Sequence, residues 1–386
     1  MAASVPFRFP IQDEQDFNDS EKVYEYLQDR RVVGYEPLIQ PALLRHEIVS
    51  TPNSHRTIAS ARYSAAQVLS GQDDRVLVIV GPCSIHSPEQ AIEYARLLKA
   101  KIPSWPNLLI IMRAYFEVTI APKPRTTVGW KGLINDPEID GTFQINKGLR
   151  TARKLLCDLT DLGVPVGSEL LDTISPQYIS DLISWGAIGA RTTESQLHRE
   201  LASGVSFPIG FKNAIDAMLS ASHPHAFMGV TEQGLASIVK TRGNQDVHVI
   251  LRGGTKGPNF KAEDVKSAKE VIEKKMGGTR ASIMIDCSHG NSQKKHTNQP
   301  LVIADICTQL EAGERSITGV MIESNINEGR QDVPGGGAAC LKHGVSITDA
   351  CVEFETTTVE MLDRLNKAVG VRRDEVASSS SAKEQA

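Results

Sequence analysis

Between residues 71 and 370 the chain alternates short unbroken apolar runs with amphipathic stretches. The runs are RVLVIV (75–80), LLIIM (108–112), VPVGS (164–168), AIGA (187–190), FPIGF (207–211), HVIL (248–251), SIMID (282–286) and GVMI (319–322). Parallel strands covered on both faces read as continuous apolar runs rather than as alternation, so these eight are expected to be such strands. Amphipathic segments at 88–100, 144–162, 263–275 and 301–312 read as helices between them. Eight strands alternating with helices predict an α/β fold, a (β/α)8 TIM barrel spanning 71–370. An open doubly wound sheet is the structural alternative, but no GxGxxG follows the first strand.

Residues 1–70 are polar and mixed, with a helical piece around 20–30 and an apolar stretch at 35–44. They predict an N-terminal extension for regulatory or oligomer contacts. The tail, 371–386, ends SSSSAKEQA and reads as disordered. Net charge is −4, so nothing global points to nucleic acid or an anionic membrane. The N-terminal MAASVPFRFP has no charged segment leading into an apolar one, and no apolar run reaches the roughly 20 residues that span a bilayer. Six scattered cysteines without a CxxC pair read as reduced thiols, which together with the above predicts a cytoplasmic enzyme.

The ends of the runs carry the chemistry. Cys83 follows the first, Arg113 the second, Glu169 the third and Arg191 the fourth; Lys212, Arg252, His289 and Glu323 follow the rest. Barrel enzymes place their active sites at this end of the strands, and closure would gather all eight side chains around one cavity. Cys83, His289 and Glu323, joined by Asp349, mix soft and hard donors in a manner suited to Mn, Fe, Co or Zn rather than Ca or Mg. Singly, each has an ordinary reading: a small buried hydrophobe, a histidine satisfying a carbonyl, solvated rim charges. Arg113, Lys123, Arg125, Arg191, Lys212 and Arg252 form a cationic group within an acidic protein. Salt bridges at the rim are the plain alternative, yet cations beside strongly apolar strands are costly without an anion. Phosphorylated substrates would supply one. The glycines after Arg252 fit either a close backbone approach or a simple turn.

The stretches GPCSIHSPEQA (81–91), KPRTTVGWKGLINDP (123–137), SWGAIGARTTESQ (184–196), GFKN (210–213), ILRGG (250–254), MIDCSHGNS (284–292), GVMIESN (319–325) and GVSITDAC (344–351) closely resemble type I 3-deoxy-D-arabino-heptulosonate 7-phosphate (DAHP) synthases of the bacterial and fungal kind. The likeness runs from about Gly34 to Val369, and KPRTT separates it from the related octulosonate 8-phosphate synthases. It implies condensation of phosphoenolpyruvate with D-erythrose 4-phosphate and water, the first step of the shikimate pathway of aromatic amino-acid biosynthesis. It further implies Cys83, His289, Glu323 and Asp349 as metal ligands. Arg113, Tyr115, Lys123, Glu169, Ala190, Arg191, Lys212 and Arg252 would surround phosphoenolpyruvate. Lys123, Pro124, Arg125 and Thr126 would meet the sugar phosphate, with Lys123 able to protonate the new hydroxyl. A homo-oligomer, dimer or tetramer, is implied, as is feedback inhibition by an aromatic amino acid. The inhibitor pocket would lie beside the barrel, between the extension and the segment around Gly229, where glycine favours tyrosine over phenylalanine.

Two departures stand on the catalytic face. Val118-Thr-Ile-Ala-Pro122 is inserted before Lys123, and about eight residues are missing after Asn213. They motivate an alternative, a catalytically impaired homologue retaining fold and partner surfaces, since displacing such groups by about 1 Å costs on the order of 100-fold in rate. A class II aldolase would share metal-polarised carbonyl chemistry but would require a histidine-rich site.

Overall fold

The computed structural model describes residues 11–117, 130–334 and 337–384, with side chains as far as Asp374. It divides into two compact units, Met1–Ile39 and Gln40–Ala386. In the first, helix α1 (Ser20–Leu27) begins where the Asp19 carboxylate accepts the Glu21 and Lys22 backbone N–H groups. The second opens with α2 (Pro41–Glu47) and α3 (Pro52–Ser70). The division therefore falls at 39/40 rather than at 70. The reason is physical: α3 contributes Ala65, Val68 and Leu69 to the same buried cluster as Leu77, Ile79, Ile111, Trp185, Ala187, Ile250, Met284 and Met321.

From β1 (Val76–Gly81) the chain alternates as its apolar pattern predicts: α4 (Pro88–Lys101), β2 (Leu108–Arg113), α5 (Ile145–Asp161), β3 (Val166–Glu169), α6 (Pro176–Ile179), β4 (Trp185–Ile188), α7 (Gln196–Ala202), β5 (Ile209–Lys212), α8 (Ile215–Ala221). A hairpin of β6 (Ala226–Val230) and β7 (Ala236–Lys240) interrupts, followed by β8 (Val247–Leu251), α9 (Ala262–Lys275), β9 (Ile283–Asp286), α10 (Gln299–Glu311), β10 (Ile317–Asn325), the short β11 (Val352–Glu353) and α11 (Val359–Glu384). Local signals mark the boundaries. Ser87 caps α4 ahead of Pro88, and α3 stops at Gly71 with φ +79°. Along α5, Leu149, Ala152, Leu156 and Leu159 recur at helical spacing and are buried.

Strands β1, β2, β3, β4, β5, β8, β9 and β10 pair in parallel in that order. β10 returns to β1, from Leu77 opposite Gly319 to Gly81 opposite Glu323, which closes the barrel and excludes the open sheet. Ile250 is fully buried at its centre. Ile250→Ala is expected to lower unfolding free energy by about 2–5 kcal/mol, read as a fall in the urea midpoint.

The tail departs from expectation. The backbone is helical through Glu384, within the stretch read as disordered. No glycine or proline follows Gly370, and Ala, Lys and Glu are good helix formers, so the low complexity of the sequence does not break the helix. Among the described residues, no helix is long and apolar enough to cross a membrane.

Candidate active site

Closure sets the strand ends around a cavity of about 520 Å³. Its lining includes Cys83, Arg113, Tyr115, Glu169, Ala190, Arg191, Lys212, Arg252, His289 and Asp349. Glu323, fully buried on β10, is held by Arg113 Nη2 3.0 Å from its Oε1 and by the Ser288 hydroxyl donating to Oε2 at 2.8 Å. Lys123, Pro124, Arg125 and Thr126 lie outside the described residues, as does the inserted 118–122 segment.

Cys83 is placed by Gly81, whose φ of +155° and closeness to Arg113 leave no room for a side chain: a Cβ would come within 2.7 Å of the Arg113 carbonyl oxygen. Arg113 answers by donating to the Pro82 and Cys83 carbonyls at 3.1 and 3.0 Å. Asp349 sits on a loop tied to the same region, where the Thr348 and Ser84 hydroxyls are 2.8 Å apart. The Cys83 sulfur and one carboxylate oxygen from each of Glu323 and Asp349 all lie within 4.8 Å of one another. His289 stands at the edge of this group, its Nε2 3.6 Å from Glu323 Oε1.

The electrostatics favour a cation here. Burial, and then the nearby Glu323, push the Cys83 thiol well above its ordinary value. Burial and Glu323 likewise raise Asp349. Burial opposes ionisation of Glu323 too, but His289 and Arg113 hold its carboxyl below the usual range. Two carboxyls and a thiol are thus crowded in a buried place, an arrangement that a divalent ion would relieve by letting all three ionise. The residues fit such an ion.

The Arg113 guanidinium, paired with Glu323, also lies 3.6 Å from the centre of the Tyr115 ring. Lys212, at the end of β5, is only 4% exposed, and its Nζ is 3.8 Å from Asp286 Oδ2. The connection after it begins at Asn213, whose φ of +56° suits an asparagine. Asn213 donates from its side chain to Gly253 O at 2.8 Å and accepts the Arg252 N–H at 3.0 Å. Lys212 and Arg252 both line the one cavity. Gly253 approaches closely, since a Cβ there would meet the Gly290 carbonyl carbon at 2.5 Å.

Sequence reasoning passed over Glu117 and Asp286. Glu117 lines the cavity and accepts the Leu171 N–H at 3.2 Å. Burial, then its hydrogen-bonded neighbour Asp172, push its carboxyl well above the ordinary range. Asp286 is the fully buried last residue of β9. A carboxylate ending an apolar strand was the signal available for it.

A second cavity, about 400 Å³, lies beside the barrel; Arg45, Arg62, Gln177, Phe227, Gly229 and Val239 are among its lining residues. The hairpin is pinned there by Gln177 donating to Val230 O at 2.6 Å and Arg45 pairing with Glu232 at 2.6 Å. A Cβ on Gly229 would meet Val239 Cγ2 at 2.8 Å.

Residues 49–361 match the model of the DAHP synthetase I family. The chain belongs to that family. It is 55% identical over 360 residues, 90% of this chain and 95% of the relative, to a protein of Schizosaccharomyces pombe named phospho-2-dehydro-3-deoxyheptonate aldolase, tyrosine-inhibited. A phenylalanine-inhibited counterpart from Saccharomyces cerevisiae is 52% identical, covering 92% of this chain and 98% of its own. A solved phospho-2-dehydro-3-deoxyheptonate aldolase from Francisella tularensis superposes with a TM-score of 0.83 at 50% identity, covering 88% of this chain and 99% of that one. For this member of the DAHP synthetase I family, no described feature favours the reading of an impaired homologue.

Proposed function

We propose that the chain is a DAHP synthase, joining phosphoenolpyruvate to erythrose 4-phosphate with addition of water and release of phosphate. The observation that carries this reading is the gathering of Cys83, Glu323 and Asp349 at a single cavity that Arg113, Arg191, Lys212 and Arg252 also line. The cations neutralise the carboxylate and phosphate of phosphoenolpyruvate and the charge that grows on phosphate as its C–O bond breaks. Arg113 and Lys212 are buried, so their charges act with little screening. To Glu169, a cavity carboxylate at the end of β3 outside the metal group, we assign the proton of the adding water. Cys83, His289, Glu323 and Asp349 would hold a divalent ion of the Mn, Fe, Co or Zn type. Such an ion supplies Lewis acidity at the sugar aldehyde. Lys123, Pro124, Arg125 and Thr126 are assigned to erythrose 4-phosphate on motif alone. Phosphate release should require both substrates together; release from phosphoenolpyruvate alone, at an equal rate, would refute the condensation.

We also infer inhibition by an aromatic amino acid, tyrosine rather than phenylalanine, at the cavity bearing Gly229. In support, Gly229 lines that cavity and offers no side chain against a phenolic hydroxyl. The 55% and 56% identical relatives of S. pombe and Candida albicans are the ones named tyrosine-inhibited. Tyrosine is expected to inhibit more strongly than phenylalanine at matched concentrations. Gly229→Ser, which crowds Val239, should weaken tyrosine inhibition by about tenfold or more, corresponding to the 1–3 kcal/mol of one lost pocket contact. A homo-oligomer is inferred from the exposed, cross-strand pair Met228 and Ile238 on the outer face of the hairpin; light scattering measures the mass directly.

A further inference from the structure

Glycines occur in the barrel for different reasons, and what a side chain would meet at each one tells them apart. At Gly186 and Gly210 an added Cβ would meet Phe207 and Ile250, buried core side chains, at 2.5 and 2.6 Å. Those two glycines serve packing. Gly189, just past the end of β4, is different. A Cβ there would meet first Glu169 Oε1, at 2.2 Å, and then the Glu169 carboxyl carbon, at 3.3 Å. An ordinary contact begins at 3.4 Å, so the carboxylate stands in space that any side chain at position 189 would claim.

The backbone on both sides of this contact is held. Parallel pairing sets Glu169 opposite Ala187, and the Leu170 N–H donates to the Ala187 carbonyl at 3.0 Å. The Gly189 carbonyl accepts the N–H groups of Thr192 and Thr193 at 2.9 and 3.2 Å and the Thr192 hydroxyl at 3.0 Å. Gly189 is therefore tied in place, whereas a glutamate side chain can turn about its own bonds. Gly189 does not have the positive φ that would itself call for glycine, so alanine suits its backbone. Both Gly189 and Glu169 line the cavity, beside Ala190, Arg191 and Thr192.

Resting on the proton role assigned to Glu169 above, we propose that Gly189 is a positioning residue for the condensation: its missing side chain keeps open the place that the Glu169 carboxylate occupies in the cavity. With alanine there, the carboxylate must retreat by about 1 Å to restore an ordinary contact. The fold keeps its packing, because the atom in the way is the end of a flexible side chain rather than backbone or core.

A double-mutant cycle on phosphate release from phosphoenolpyruvate and erythrose 4-phosphate tests this. Gly189→Ala alone should lower kcat by about 100-fold, the effect of misplacing a reacting group by about 1 Å. Glu169→Gln alone should lower it by about 100-fold or more. In the Glu169→Gln background, adding Gly189→Ala should cost no more than about a further twofold, because the group it displaces no longer acts. A merely structural role would multiply the two losses, and that outcome overturns the proposal, as does a Gly189→Ala protein that turns over like the parent. A Glu169→Gln protein of full activity removes the proton role of Glu169 and the proposal with it. The crystal structure of Gly189→Ala reads the geometry without turnover, and a Glu169 carboxylate that has not moved overturns the proposal. Should Gly189→Ala not fold, Glu169→Asp beside it should restore folding, since the shorter side chain vacates the place; a double variant that still does not fold overturns the proposal. A wild-type protein that releases no phosphate, together with a displaced carboxylate in Gly189→Ala, would count against the proposed function and leave the placement of Glu169 by Gly189 standing.

Discussion

Cys83→Ala is expected to abolish turnover nearly completely, lowering phosphate release by about 100-fold or more, and a chelator should do the same to the wild-type protein. The thiol is one of three side chains whose ligand atoms lie within 4.8 Å of one another, and it is buried at the start of the loop after β1. A buried cysteine of purely structural use would tolerate alanine at a modest cost in stability and none in metal affinity. Here, removing the sulfur leaves Glu323 and Asp349 to hold the ion with His289. The decisive measurements are manganese affinity and rate on the same preparation. An alanine protein that binds manganese and turns over like the parent would remove Cys83 from the site.

The second large effect concerns the cations that line the same cavity. Arg191→Ala and Lys212→Ala should each weaken phosphoenolpyruvate binding by about 2–5 kcal/mol, a rise in its Michaelis constant of roughly 30-fold or more. The reason is that each contributes charge to the cavity, and Lys212 does so from a buried position where a bound anion is screened little by water. Lys212→Ala carries an added consequence, because Asp286 loses the ammonium group 3.8 Å away in a fully buried place. That protein should therefore melt at a lower temperature as well, whereas Arg191→Ala, at an exposed position on the cavity lining, should melt close to the parent. Unchanged Michaelis constants for phosphoenolpyruvate in both would contradict the assignment of these cations.

The eight barrel strands were legible because a strand covered on both sides is mostly apolar along its length, with few buried polar residues such as His248 and Thr318. Each apolar run therefore stops where the chain needs chemistry, as at Arg113 and Lys212. The hairpin of β6 and β7 was not legible as strands. Its residues are half exposed, alternate only weakly and include Gly229, so that segment drew attention only through family likeness. The place of α3 was also hidden. Residues 1–70 read only as polar and mixed, and nothing local says that the apolar positions of α3 close the barrel's core beside Leu77 and Met284.

By itself, then, the sequence determined which segments are the eight barrel strands and which side chains stand at or just after their ends, since backbone period and burial are local properties. Tertiary structure alone decided what those ends do together. Closure of β10 on β1 brought Glu323 beside Cys83, some 240 residues away in the chain, and the turn after β9 set His289 against Asp286 rather than against solvent. Distances between side chains remote in sequence depend on how the sheet curves and closes, and no local pattern of residues encodes that.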